Sequence, residues 1–185
     1  MSLPLMMVNA ATTSGLSVSS HTGTASEITG SFDLYTFLAD GTIDFSGSGN
    51  IDILLVGAGG SGGRGTGGGG AGGEIIVAES VAVTAGQYAV TVGPTTTAPS
   101  SGHVIGINGS ASSITGTGVS IAAAGGGGGR GHTSTLPVAT PNTGGGSYFS
   151  QYQSPQTSSG SSSYSSYTVY SGFTGGQGAT IAGGG

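Results

Sequence analysis

Gly57-Ala58-Gly59-Gly60-Ser61-Gly62 directly follows the apolar run Ile51 to Val56. It has the G-x-G-x-x-G spacing of a dinucleotide-binding loop, and Glu79 closes a further apolar run about twenty residues on, where such a fold places its ribose-binding acid. That chemistry needs a helix opening at the motif, so that its free amides meet a pyrophosphate. Ten of the fourteen residues from Gly60 to Gly73 are glycine. Each costs about 1 kcal/mol relative to alanine in a helix, so the helix is disfavoured by about 10 kcal/mol. A phosphate-cradling P-loop fails more simply, because the chain contains no lysine.

The other groups able to do chemistry do not gather. His21, His103 and His132 are isolated, and all seven acids lie between Glu27 and Glu79. Asp33, Asp40, Asp44 and Asp52 lack the spacing of a calcium loop and read as solvated strand and turn positions. A serine–histidine–acid set can be assembled on paper from so many serines, which makes it uninformative. The expectation is a protein that is not an enzyme and holds no cofactor or metal.

Composition narrows the partners. The net charge is −5, and the only cations besides histidine are Arg64 and Arg130, whereas nucleic-acid binding needs clustered positive charge. With no cysteine there is no disulfide framework or thiolate metal site. No segment reaches the roughly 18 consecutive apolar residues of a spanning helix, so no membrane insertion is expected. Residues 1–15 have no cationic stretch before an apolar core and do not read as a signal peptide.

Three regions follow from the composition. Residues 1–27 read as an N-terminal arm, lying along the domain or on another chain. Residues 28–131 carry most of the aliphatic side chains and read as a glycine-rich β-sandwich domain. Residues 132–185, rich in Ser, Thr, Gly and Tyr, read as an extension packed on the domain or on a neighbouring chain. Within the domain, Phe32 to Leu38 and Thr42 to Phe45 predict strands joined by an Asp40-Gly41 hairpin turn. Ile51 to Val56 predicts a strand buried on both faces. Glu74 to Val83 and Gln87 to Val92 predict a hairpin through Thr84-Ala85-Gly86. Val104 to Ile107, an Asn108-Gly109 turn, Ser112 to Ile114 and Val119 to Ala123 complete an all-β pattern.

The glycine runs then require an explanation. Gly57 to Gly73 contains 12 glycines in 17 positions, and Gly125 to Gly131 six in seven. Flexible linkers, anion-cradling loops and packed extended helices of three residues per turn are the competing readings. Both runs leave apolar strands, which favours packing. Buried extended backbone must find amide partners, and the chain supplies further short runs at 144–146, 175–178 and 183–185. Tyr164, Tyr167, Tyr170 and Phe173 share that three-residue spacing and would line one edge. With Tyr148, Phe149 and Tyr152 they form the candidate recognition surface, since Tyr and Ser offer amphipathic area and adaptable hydrogen bonds. The alternative for the same edge is packing.

The segments Asp33-Leu34-Tyr35-Thr36-Phe37, Gly41-Thr42-Ile43-Asp44-Phe45 and Ile51 through Gly60 resemble the glycine-rich domain of phage tail-fibre and other virion proteins. The likeness runs on through Gly67 to Gly73, Val83 to Gly93 and Ile121 to Gly129, covering roughly residues 30–131. The pattern is also similar to T-even-type phage adhesins and to the glycine-rich domain of anaplastic lymphoma kinase. The resemblance implies a jelly-roll-like β-sandwich with packed polyglycine helices. It implies a particle-borne role as fibre, adhesin or capsid decoration, in a homo-oligomer such as a trimer, with other virion proteins and a host glycan or protein as partners. An ice-binding or extracellular-matrix role for a flat polyglycine slab is the alternative. It would require a regular Gly-x-x repeat or threonine ladders, and only Thr95-Thr96-Thr97 is ladder-like.

Overall fold

The computed structural model describes residues 6–11, 15–28, 32–65, 67–102, 104–131 and 167–170. They form nine strands, all paired antiparallel, with no helix among the described residues. The strands are β1 (Met6–Ala11), β2 (Ser17–Ile28), β3 (Phe32–Ser46), β4 (Gly49–Val56), β5 (Ile75–Val83), β6 (Gly86–Thr91), β7 (Ser112–Gly116), β8 (Val119–Ala123) and β9 (Thr168–Tyr170). Their order is β8-β7-β6-β3-β1-β4-β5-β9, with β2 on the other edge of β3. The all-β expectation holds, and the connectivity is compatible with a jelly-roll sandwich.

β3 organises the molecule. Its first half, Phe32 to Phe37, pairs with β1, and its second half, Gly41 to Phe45, pairs with β6. Asp40-Gly41 is therefore not a hairpin turn, contrary to its sequence signal. A two-residue hairpin turn of that type needs positive φ at both central positions, and neither residue has it. Gly41 is glycine for another reason: a Cβ there would collide with the Thr22 carbonyl of β2, beside the kink at Gly23 (φ 77°). Asp40 instead accepts a hydrogen bond from the Val92 amide through Oδ1 at 2.8 Å.

The described N-terminal strands β1 and β2 are part of the sheet. β1 sits between β3 and β4, and residue 27 falls inside β2, so no structural boundary separates an arm at that point. The connection Thr84–Gly86 joins β5 to β6 without pairing them: β5 pairs with β4 and β9, β6 with β3 and β7. It links two parts of the fold rather than closing a hairpin. β7 and β8 do form a hairpin, turning at Thr117-Gly118 with Gly118 at φ 74°.

One apolar core holds these strands. Tyr35, Phe37, Ile43 and Phe45 of β3, Ile51, Ile53 and Leu55 of β4, Ile76, Ala78, Val81 and Val83 of β5, Tyr88 and Val90 of β6, and Ile114, Val119 and Ile121 of β7 and β8 form a single buried cluster. The alternation along β4 is that of a strand with one wholly buried face, because Leu54 and Val56 remain half-exposed. The expected burial on both faces is not found. A β-bulge interrupts the β4–β5 ladder between Ile51 and Ile53. There Ser80 takes a positive φ of 57°, and its amide donates to Asp52 Oδ1 at 2.8 Å.

Candidate functional site: a bundle of glycine segments

At one end of the core the strands change character without breaking their pairing. β4 runs on into segment g1 (57–64), and segment g2 (67–74) leads into β5. Segment g3 (104–110) precedes β7, and segment g4 (124–131) follows β8. The β4–β5 ladder ends at Val56 opposite Ile75. Its next bond is the Gly57 amide donating to the Glu74 carbonyl at 2.8 Å. From there the bonds recur every third residue, the period of an extended polyproline-II-type helix.

The register is regular on every shared edge. From g1 to g2, the amides of Gly57, Gly60 and Gly63 donate to Glu74, Ala71 and Gly68. From g1 to g3, Ala58, Ser61 and Arg64 donate to Ser110, Ile107 and Val104. From g2 to g4, Gly68, Ala71 and Glu74 donate to Arg130, Gly127 and Ala124. Gly106 and Gly109 of g3 donate to Gly129 and Gly126 of g4, and these two donate in turn to Ser61 and Ala58 of g1. Hence g1 and g4 lie side by side and parallel, flanked by antiparallel g2 and g3. All thirteen of these bonds measure 2.7–3.0 Å.

Glycine is needed where this packing leaves no room for a side chain. A Cβ on Gly57, Gly60 or Gly63 would overlap the backbone of g4, and one on Gly67, Gly70 or Gly73 that of g1. Gly125, Gly128 and Gly131 meet g3 in the same way. The residues that are not glycine fall on the remaining rows, also spaced by three: Ala58, Ser61 and Arg64 in g1, Ala71 and Glu74 in g2, Ala124 and Arg130 in g4. Several use their side chains to complete the lattice. Ser61 Oγ accepts from the Ile107 amide, Asn108 Oδ1 from Gly128, and buried Glu74 Oε2 from Ala124, each at 2.8 Å.

These contacts decide the motifs. The G-x-G-x-x-G loop opens an extended segment, with Gly57 and Gly60 against g4. Gly59-Gly60-Ser61-Gly62-Gly63 also spells the G-x-S-x-G pattern of a nucleophile elbow, yet Ser61 is buried on a straight segment rather than exposed at a strand-to-helix turn. Val104 to Ile107 is not a strand, and Asn108-Gly109 is not a turn. Both belong to g3, because Gly106 and Gly109 must let it approach g1. Outside g1, a groove of about 450 Å³ is lined by Gly59, Gly60, Ser61, Gly62, Thr95, Thr96 and Ala98. Thr96 Oγ1 donates there to the Gly59 carbonyl at 2.8 Å.

Of the candidate recognition residues, Tyr148, Phe149, Tyr152, Tyr164 and Phe173 lie outside the described residues. Tyr167 is half-buried against the core, and Tyr170 is 57% exposed on β9, opposite Ile75. Thr168–Tyr170 is a β-strand paired with β5 rather than part of a three-residue helix, and Tyr167 just before it packs on the core while Tyr170 faces solvent. Sequence reasoning missed the signal that marks the bundle, the three-residue spacing of the residues that interrupt the glycines.

A family model described as a glycine-rich domain matches residues 38–185, so the match extends through the tail rather than stopping near residue 131. No curated protein and no solved structure matches the chain.

Proposed function

This chain belongs to the glycine-rich domain family, and on that premise we propose that it is a structural and adhesive component of a virus particle. Within that role it serves as a fibre, an adhesin or a capsid-decoration protein. The observation that carries the reading is the bundle g1–g4, in which thirteen bonds between backbone groups fix four segments. A body built this way is rigid without disulfides or a bound ion, and it can hold surface segments in place for contact with a partner.

The proposed partners are further copies of this chain, other virion proteins, and a glycan or protein of the host surface. Val104 and Ile107, 42% and 52% exposed on the third-residue row of g3, favour self-association, since adjacent exposed apolar side chains mark contact surfaces. Host recognition is assigned to the aromatic residues of the tail, with Tyr170 presented to solvent. Electron microscopy of the source particles with a labelled antibody against this chain tests the role. Labelling of a projection or of the shell supports it, and particles that carry no label overturn it.

A further inference from the structure

Asn108-Gly109 is the one Asn-Gly pair in the chain, and it lies in extended g3 rather than in a turn. Such a pair carries its own reaction. The amide nitrogen of the glycine can attack the asparagine side chain, and a residue without a Cβ hinders that ring closure least. Glycine is required at 109 because a Cβ there would overlap the Ala58 carbonyl of g1. The close approach that builds the bundle therefore also places a reactive sequence inside it.

Both reacting groups are engaged with g4. The Gly109 amide donates to the Gly126 carbonyl at 2.7 Å. Asn108 Oδ1 accepts from the Gly128 amide at 2.8 Å, although the residue is exposed. Attack requires the Gly109 nitrogen to give its proton to a solvent base, and the Asn108 carboxamide carbon to swing into close approach. The first step breaks the bond to Gly126, and the second pulls Oδ1 away from Gly128. Both conditions are met together when g3 parts from g4.

We propose that Asn108-Gly109 is a self-modification site, which the closed bundle holds inert and which opening of g3 from g4 releases. On release, the Gly109 nitrogen bonds to Asn108 Cγ, the bond from Cγ to Nδ2 breaks, and Nδ2 takes up a proton from solvent and leaves as ammonia. Water then opens the five-membered imide at one carbonyl to give aspartate, or at the other to give isoaspartate. Isoaspartate routes the main chain through Cβ and lengthens it by one atom between Gly106 and Gly109. Those two amides donate to Gly129 and Gly126, each at 2.7 Å, and a lengthened chain cannot meet both in register. Opening of the bundle at g3 thereby becomes a one-way step. The proposal is independent of the virion role.

Peptide-mapping mass spectrometry of the full-length protein tests it, with native and urea-unfolded samples incubated side by side at the same mildly alkaline pH and temperature. Conversion at residue 108 is expected to be slower in the native protein by about tenfold or more, since only the open fraction reacts. Gly106→Ala, whose added methyl group would overlap the Ser61 carbonyl, is expected to raise the native rate severalfold while the Ile121 amide stays protected from exchange. Equal rates in the native and unfolded samples overturn the proposal. So does a faster native rate, which would make the Gly128 amide a donor to the developing oxyanion rather than a restraint. On return to buffer, isoaspartate chains are expected to lack the protection at Gly106 and Gly109 that unmodified chains in the same sample regain. Equal protection in both kinds of chain overturns the one-way step.

Discussion

Gly60 and Gly127 stand with their backbones in direct contact, so that a methyl group built on Gly60 would overlap the Gly127 carbonyl. Two residues on, a methyl group on Gly62 would meet nothing nearer than the Gly68 carbonyl oxygen at 3.5 Å, an ordinary contact. Neighbouring glycines in one run therefore differ sharply in what they tolerate. Gly60→Ala is expected to destabilise the protein by about 2 kcal/mol or more, the cost of overpacking. Gly62→Ala is expected to change stability by less than about 0.5 kcal/mol, or to raise it slightly by restricting the unfolded chain. Urea denaturation of the two variants checks both, and a flexible linker would show no difference between them.

Ser112 joins the strands to the bundle. Its hydroxyl accepts from the Gly93 amide at 3.0 Å and donates to the Val56 carbonyl at 2.8 Å, and the side chain is fully buried. Ser112→Ala leaves a donor and an acceptor inside the protein without that partner. The expected loss is about 2 kcal/mol, measured by denaturation, with the midpoint lowered and the slope unchanged.

Tyr167 and Tyr170 separate packing from recognition. Tyr167→Ala removes a ring packed on the core and is expected to lower stability by about 1–2 kcal/mol. Tyr170→Ala removes an exposed ring and is expected to leave stability within about 0.5 kcal/mol. Under the proposed role, Tyr170→Ala also lowers adsorption to the host while assembly stays intact. Adsorption assays on particles carrying each variant, beside denaturation of the isolated proteins, check the pair.

The strands β4 to β8 were legible as apolar runs bounded by turn residues, but the near-continuous run Ile51 to Val56 concealed that only Ile51, Ile53 and Leu55 are buried, on one face. The packed character of the glycine runs was legible too, from their departure out of apolar strands. What misled was local turn chemistry. Asp40-Gly41 and Asn108-Gly109 carry strong turn signals, yet in both places the glycine answers a close approach by a distant segment, Thr22 in one case and Ala58 in the other. A short window of sequence cannot distinguish a glycine that bends its own chain from one that makes room for another. The spacing of Ala58, Ser61 and Arg64 could have done so. It marks the row of g1 that carries side chains, and thereby the three-residue period of the whole bundle.

The central claim is that these glycines are bonded to one another as a lattice. Residue-resolved amide hydrogen exchange of the native protein tests it most directly. The account predicts slow exchange at Gly57, Gly60, Gly63, Gly68, Gly126 and Gly129, whose amides donate across the bundle, and fast exchange at Gly62 between them. Uniformly fast exchange from Gly57 to Gly73 and from Gly125 to Gly131, with the β-core protected, would contradict it and return the runs to flexible linkers.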